Sequence, residues 1–76
     1  MKIKYMGKDY ELSTKEKYSA STMKVIDFMA AELSEQYGFS EKDADMNAKY
    51  AYELYAAGDG YTECDCIMAI AEYYGC

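Results

Sequence analysis

Asp43, Asp45 and Asn47 stand at alternate positions, as the first three ligands of a calcium loop do. Oxygen donors at that spacing hold a hard cation only if a glycine turns the backbone sharply and a glutamate closes the loop. Counted from Asp43, the glycine position holds Ala48 and the closing position holds Leu54, with Glu53 one residue early. The segment also reads as helix, where alternate side chains diverge, so its acids are expected to complement a helix N-terminus instead.

Cys64 and Cys66 are the next residues able to bind a metal. Two positions apart on a helix they point about 200° away from each other, so they do not close on one zinc ion. The third cysteine, Cys76, lies well beyond them, and the chain has no histidine to complete a site. The expected arrangement is a buried Cys66 packed as a small apolar residue, a partly exposed Cys64 and a largely exposed Cys76. No metal and no cofactor is expected.

Catalysis has little to draw on. The 76 residues include no histidine, arginine, tryptophan or proline. Histidine is the usual proton carrier near neutral pH, and a serine or cysteine nucleophile needs such a base. There is no G-x-S-x-G elbow and no phosphate-binding loop. Carboxylate pairs such as Glu63 and Asp65, or Glu32 and Glu35, are ordinary on an acidic helical surface. The chain is therefore not expected to be an enzyme.

The chain instead carries ten tyrosines and six methionines beside a thin supply of aliphatic residues. Tyrosine supplies a large apolar ring whose hydroxyl needs a partner when buried, and methionine fills irregular gaps. Ten tyrosines exceed the needs of one small core, so some should lie at an interface, where tyrosine is enriched.

These residues must be positioned by few elements. Residues 2–12 read as a β-hairpin turning at Gly7-Lys8 in a two-residue type II′ turn. That turn would pair Ile3 with Leu12, Tyr5 with Tyr10 and Lys4 with Glu11, leaving Ile3, Tyr5, Tyr10 and Leu12 on one apolar face. Ser13 and Glu16 suggest a capping box for a helix over about 14–37, although Ser19-Ala20-Ser21 weakens its first turns. Gly38 would end it. Its stripe is Tyr18, Thr22, Val25, Ile26, Met29, Leu33 and Tyr37. Phe28 lies off that stripe, either under the hairpin or exposed.

A second helix over about 41–57 is capped by Ser40 with Asp43 and stopped by Gly58-Asp59-Gly60. Its inner stripe is Ala44, Ala48, Ala51 and Tyr55, flanked by Leu54. Tyr50 and Tyr52 sit on opposite shoulders. Thr62 with Asp65 caps a third helix over about 63–74, with Ile67, Ile70, Ala71 and Tyr74 inside and Cys66 and Tyr73 at one edge. The expected fold is a single α+β domain over residues 1–76, ββααα, with the hairpin packed on a three-helix bundle.

Net charge is −6 and is divided along the chain. Residues 1–24 carry six lysines against three acids, and residues 25–76 carry two lysines against eleven acids. No leader segment or membrane-length apolar run is legible, and unpaired cysteines suit a reducing compartment, so a cytoplasmic protein without membrane contact is expected. The expected function is a small regulatory protein that occludes the surface of a basic, nucleic-acid-binding protein partner. In composition alone it resembles the small acidic, arginine-free inhibitors of host defence carried by phages and mobile elements. The expected interface is Phe28, Met46, Tyr50, Tyr52 and Tyr73 with the acids Glu53, Asp59 and Glu63. Two other readings compete: a self-associating homodimer, and weak nucleic-acid binding through the lysines of the N-terminal face, which the acidic balance disfavours.

Overall fold

The structure is a computed structural model describing residues 1–76. Its elements are β1 (Lys2–Tyr5), β2 (Lys8–Glu11), α1 (Ala20–Tyr37), α2 (Glu41–Ala56) and α3 (Glu63–Tyr73). This is the ββααα order, an antiparallel hairpin followed by three helices.

The hairpin register differs from the expected one. Ile3 pairs with Tyr10, Lys4 with Asp9, Lys2 with Glu11 and Tyr5 with Lys8. The turn residues are Met6 and Gly7, at φ 51° and 77°. Two successive positive φ values define a type I′ turn, which matches the right-handed twist of the strands. Moving the turn by one residue changes every partner but leaves each side chain on its original face, because strand alternation is untouched. Ile3, Tyr10 and Leu12 therefore remain buried and Tyr5 half-buried. The observed register also gives two opposite-charge cross-strand neighbours, Lys2–Glu11 and Lys4–Asp9, where the expected one gave a single pair.

Helix α1 begins six residues later than expected. Its N-cap is Ser19, whose hydroxyl accepts from the Thr22 N–H at 3.2 Å, so the Ser13–Glu16 box does not form the helix start. Residues 13–19 instead connect β2 to α1, fixed by Tyr18. The Tyr18 hydroxyl accepts from the Lys15 N–H and donates to Glu53 on α2, each at 2.9 Å. The other boundaries agree closely with the sequence reading. Gly38 closes α1 at φ 73°, with its N–H on the Ser34 carbonyl. Ser40 caps α2 through the Asp43 N–H. Thr62 and Asp65 form a reciprocal capping box on α3.

One core joins all five elements. Ile26, Met29 and Leu33 of α1 meet the small stripe Ala44, Ala48 and Ala51 of α2, beside Leu54. Small residues let the helices approach closely, and Ile67 and Ile70 of α3 close the third side. Two residues placed in the inner stripes lie outside. Tyr55 is 39% exposed because Leu54 takes the last inward position of α2, and Tyr74 is 50% exposed because α3 ends at Tyr73.

The hairpin lies against α3 and the α2–α3 connection. Strand β1 runs beside Ala69, Glu72 and Tyr73, and the Tyr5 ring meets Tyr61 edge-on at 5.0 Å. Phe28 is exposed, at 44%. No helix is long and apolar enough to cross a membrane.

Candidate protein-interaction surface

Asp59 sits in the turn between α2 and α3, where it faces the hairpin. One carboxylate oxygen accepts from Lys8 Nζ at 3.0 Å and from the Tyr10 hydroxyl at 2.5 Å. Tyr10 has one phenolic proton and gives it to Asp59, so the hydroxyl of Tyr61, 2.8 Å away, must donate to Tyr10. The hydrogen bonds from Tyr10 and then Lys8 hold the Asp59 carboxyl below its ordinary range. Burial, reinforced by the hydrogen bond to Asp59, raises Tyr10 well above the ordinary phenol. Lys8–Asp59 is the one ion pair in the molecule.

Glu53 is likewise engaged internally, accepting from Tyr18, whose ring meets Tyr52 edge-on at 5.9 Å. Two of the three acids expected at the interface thus tie the chain together. Glu63, in the first turn of α3, is half-buried with no ion-pair or hydrogen-bond partner on its side chain.

The expected aromatic patch is dispersed. Tyr50 and Tyr52 are both half-buried, and a separation of two residues on α2 sends them to opposite flanks. Tyr52 belongs to a row with Tyr18 and Tyr55, the last 6.2 Å from it. Tyr73, 52% exposed, packs on Tyr74, which in turn meets Phe39. The Tyr74 hydroxyl donates to Asn47 Oδ1 at 2.8 Å, and Asn47 Nδ2 donates to the Asp43 carbonyl. Asn47 is thereby the one buried polar residue outside the apolar core, with both its side-chain oxygen and nitrogen bonded, and it is turned away from Asp45. Phe28 and Met46 are exposed on α1 and α2.

Sequence reasoning missed a groove between α1 and α2. Its floor is Ala30, Ala31, Ser34 and Ala44, and its rims carry Asp27 and Glu35 from α1 and Glu41 and Asp45 from α2. The volume is about 360 Å³, and none of these four carboxylates has an ion-pair or side-chain hydrogen-bond partner. The signal lay in two acid pairs at helical spacing on separate helices. Nothing in one helix alone shows that its pair faces the other.

A second depression, about 510 Å³, lies on the hairpin and is lined by Lys2 and Lys4 together with Asp9 and Glu11. The lysines are thus interleaved with acids. Lys8, the third hairpin lysine, is engaged by Asp59 and lies 5.2 Å from the centre of the Tyr10 ring.

The cysteines are all free. Burial pushes the Cys66 thiol up to about 12, with Asp65 adding to the shift, so it stays protonated and unreactive near neutral pH. Cys64 and Cys76 are exposed. Nowhere do three or more cysteine, aspartate or glutamate side chains gather as a metal site.

Fold and surface together define an α+β protein with an acidic helical face and half-buried aromatic rows. No family model matches the chain, no curated protein does, and no solved structure does.

Proposed function

We propose that this protein binds a basic protein partner through its acidic helical face and acts by covering the partner's surface. The groove between α1 and α2 carries the reading. It gathers Asp27, Glu35, Glu41 and Asp45, none neutralised from within. Unpaired carboxylates around one groove repel, a cost that opposite charges on a partner would relieve. The eleven acids of residues 25–76 also set up a field that speeds encounter with a basic surface. A protein that binds nucleic acid presents such a surface, so an inhibitor of a nucleic-acid-binding partner is the specific form of the proposal.

The alternating charges on the hairpin favour this over nucleic-acid binding, because Asp9 and Glu11 sit among the lysines that would contact phosphates.

The test is capture of partners by wild-type protein and by Asp27→Asn, Glu35→Gln, Glu41→Gln and Asp45→Asn combined, under reducing conditions. These acids bond to nothing inside the fold, so the variant should stay folded. The expected result is a basic protein that is retained at low salt, released at moderate salt and lost by the variant. Equal capture by both proteins would overturn the groove as the binding surface. No basic protein retained at low salt would overturn the function.

A further inference from the structure

We propose that the shallow depression between the end of α2 and the start of α3 takes a cationic side chain, arginine or lysine, from the basic partner. The inference rests on the proposed function and locates a point of contact apart from the α1–α2 groove. The depression is about 480 Å³, opens widely to solvent and is lined by Tyr55, Tyr61, Thr62, Glu63 and Cys64.

Its walls combine two aromatic rings with one carboxylate. A cation over an aromatic face is attracted by the ring quadrupole, and a nearby carboxylate adds a direct charge. Both rings are held in place before any ligand arrives. Tyr61 is fixed by edge contacts to Tyr5 at 5.0 Å and Tyr10 at 6.2 Å, and by its hydroxyl on Tyr10. Tyr55 leans on Tyr52 at 6.2 Å while remaining 39% exposed. Little freedom is lost when a guest enters such a site.

The carboxylate is free to act as counter-ion. Asp59, in the adjoining turn, is occupied by Lys8 and Tyr10, whereas Glu63 is half-buried without a partner. The helix dipoles do not decide the sign of the guest. The negative end of α2 and the positive end of α3 meet here and largely offset each other. The capping box uses the Thr62 and Asp65 N–H groups, which leaves those of Glu63 and Cys64 open at the first turn of α3. The Glu63 carboxylate is the one full charge in the lining, and with the rings it favours a cation.

The probe is a short glycine-serine peptide carrying one arginine, compared with the same peptide carrying neutral citrulline, followed by nuclear magnetic resonance. The arginine peptide should shift the Tyr55, Tyr61 and Glu63 resonances, and citrulline should not. Tyr55→Leu, which removes the ring but keeps an apolar side chain, and the isosteric Glu63→Gln, both at exposed or half-exposed positions, should each weaken binding about 2–5-fold. Shifts confined to Asp27, Glu35, Glu41 and Asp45 would overturn this site and leave the proposed function standing. Equal shifts from citrulline, or undiminished binding by both variants, would also overturn it. A peptide that shifts neither set would count against both proposals.

Discussion

Met6 is the one residue other than glycine with positive φ, at 51°. A side chain there crowds the following carbonyl, at a cost of roughly 1–2 kcal/mol, which asparagine largely escapes. Asn-Gly is also the preferred pair for a type I′ turn. Met6 is 76% exposed, so its side chain contributes little to the core. Met6→Asn should therefore stabilise the protein by about 1 kcal/mol, raising the thermal midpoint by several degrees. An unchanged or lowered midpoint would show that the turn is not limited by backbone strain. This residue also explains the misread register. Gly7 satisfies either turn type, and strand alternation gives the same inner face for both. What separates the two registers is charge pairing, Lys2 with Glu11 and Lys4 with Asp9 within the hairpin, and the contact of Lys8 with Asp59, 51 residues away, which no local pattern shows.

Element boundaries were legible wherever cap chemistry was local. Ser40 with Asp43 and Thr62 with Asp65 each complete a cap within four residues, and both form as read. The start of α1 was ambiguous because Ser13 and Ser19 both have cap chemistry. What selects Ser19 is Tyr18, which bonds to Glu53 on another helix and holds the preceding segment out of helical form. The two serines make a clear pair for mutation. Ser19→Ala removes the acceptor for the Thr22 N–H and should cost about 1 kcal/mol in denaturant unfolding, while Ser13→Ala should cost close to nothing. The opposite ranking would place the helix start at Ser13. The acidic groove was illegible for a related reason. Its carboxylates come from two helices, and only the packing of Ala44 against α1 brings them to one place.

At the scale of the whole molecule, the tyrosines make stability depend on pH. Burial is the leading cause that raises Tyr5, Tyr10, Tyr18 and Tyr74 above the ordinary 10.0. The fold favours the protonated phenol, so this contribution is complete below pH 10.0 and is lost as pH climbs toward the folded values. Cys66 acts in the same direction, from 9.0 to about 12. Asp59 acts oppositely. Its carboxyl is held below the ordinary 3.8, so its contribution is complete above that value and fades as pH falls further. Stability should form a plateau between mildly acidic pH and about pH 9, then fall steeply. With no tryptophan to obscure it, tyrosinate absorbance can be followed beside circular dichroism. The late-titrating tyrosines should ionise together with loss of helix. A smooth titration of all ten near 10.0 with the helices intact would contradict the buried network.

The hairpin bonds mainly to itself over short chain distances, while Lys8, Tyr10, Asp59 and Tyr61 join it to a turn about fifty residues on. Detaching it would leave most of the α1–α2–α3 core in contact. It is thus a candidate to open as a cooperative unit of its own, below the free energy of global unfolding. In native-state hydrogen exchange, the amides of β1 and β2 should share one lower exchange energy and those of Ile26, Leu33 and Ile70 a higher one. Asp59→Asn should lower both exchange energies by about the same amount and leave the gap between them unchanged, since the joint is broken in the open and in the unfolded state alike.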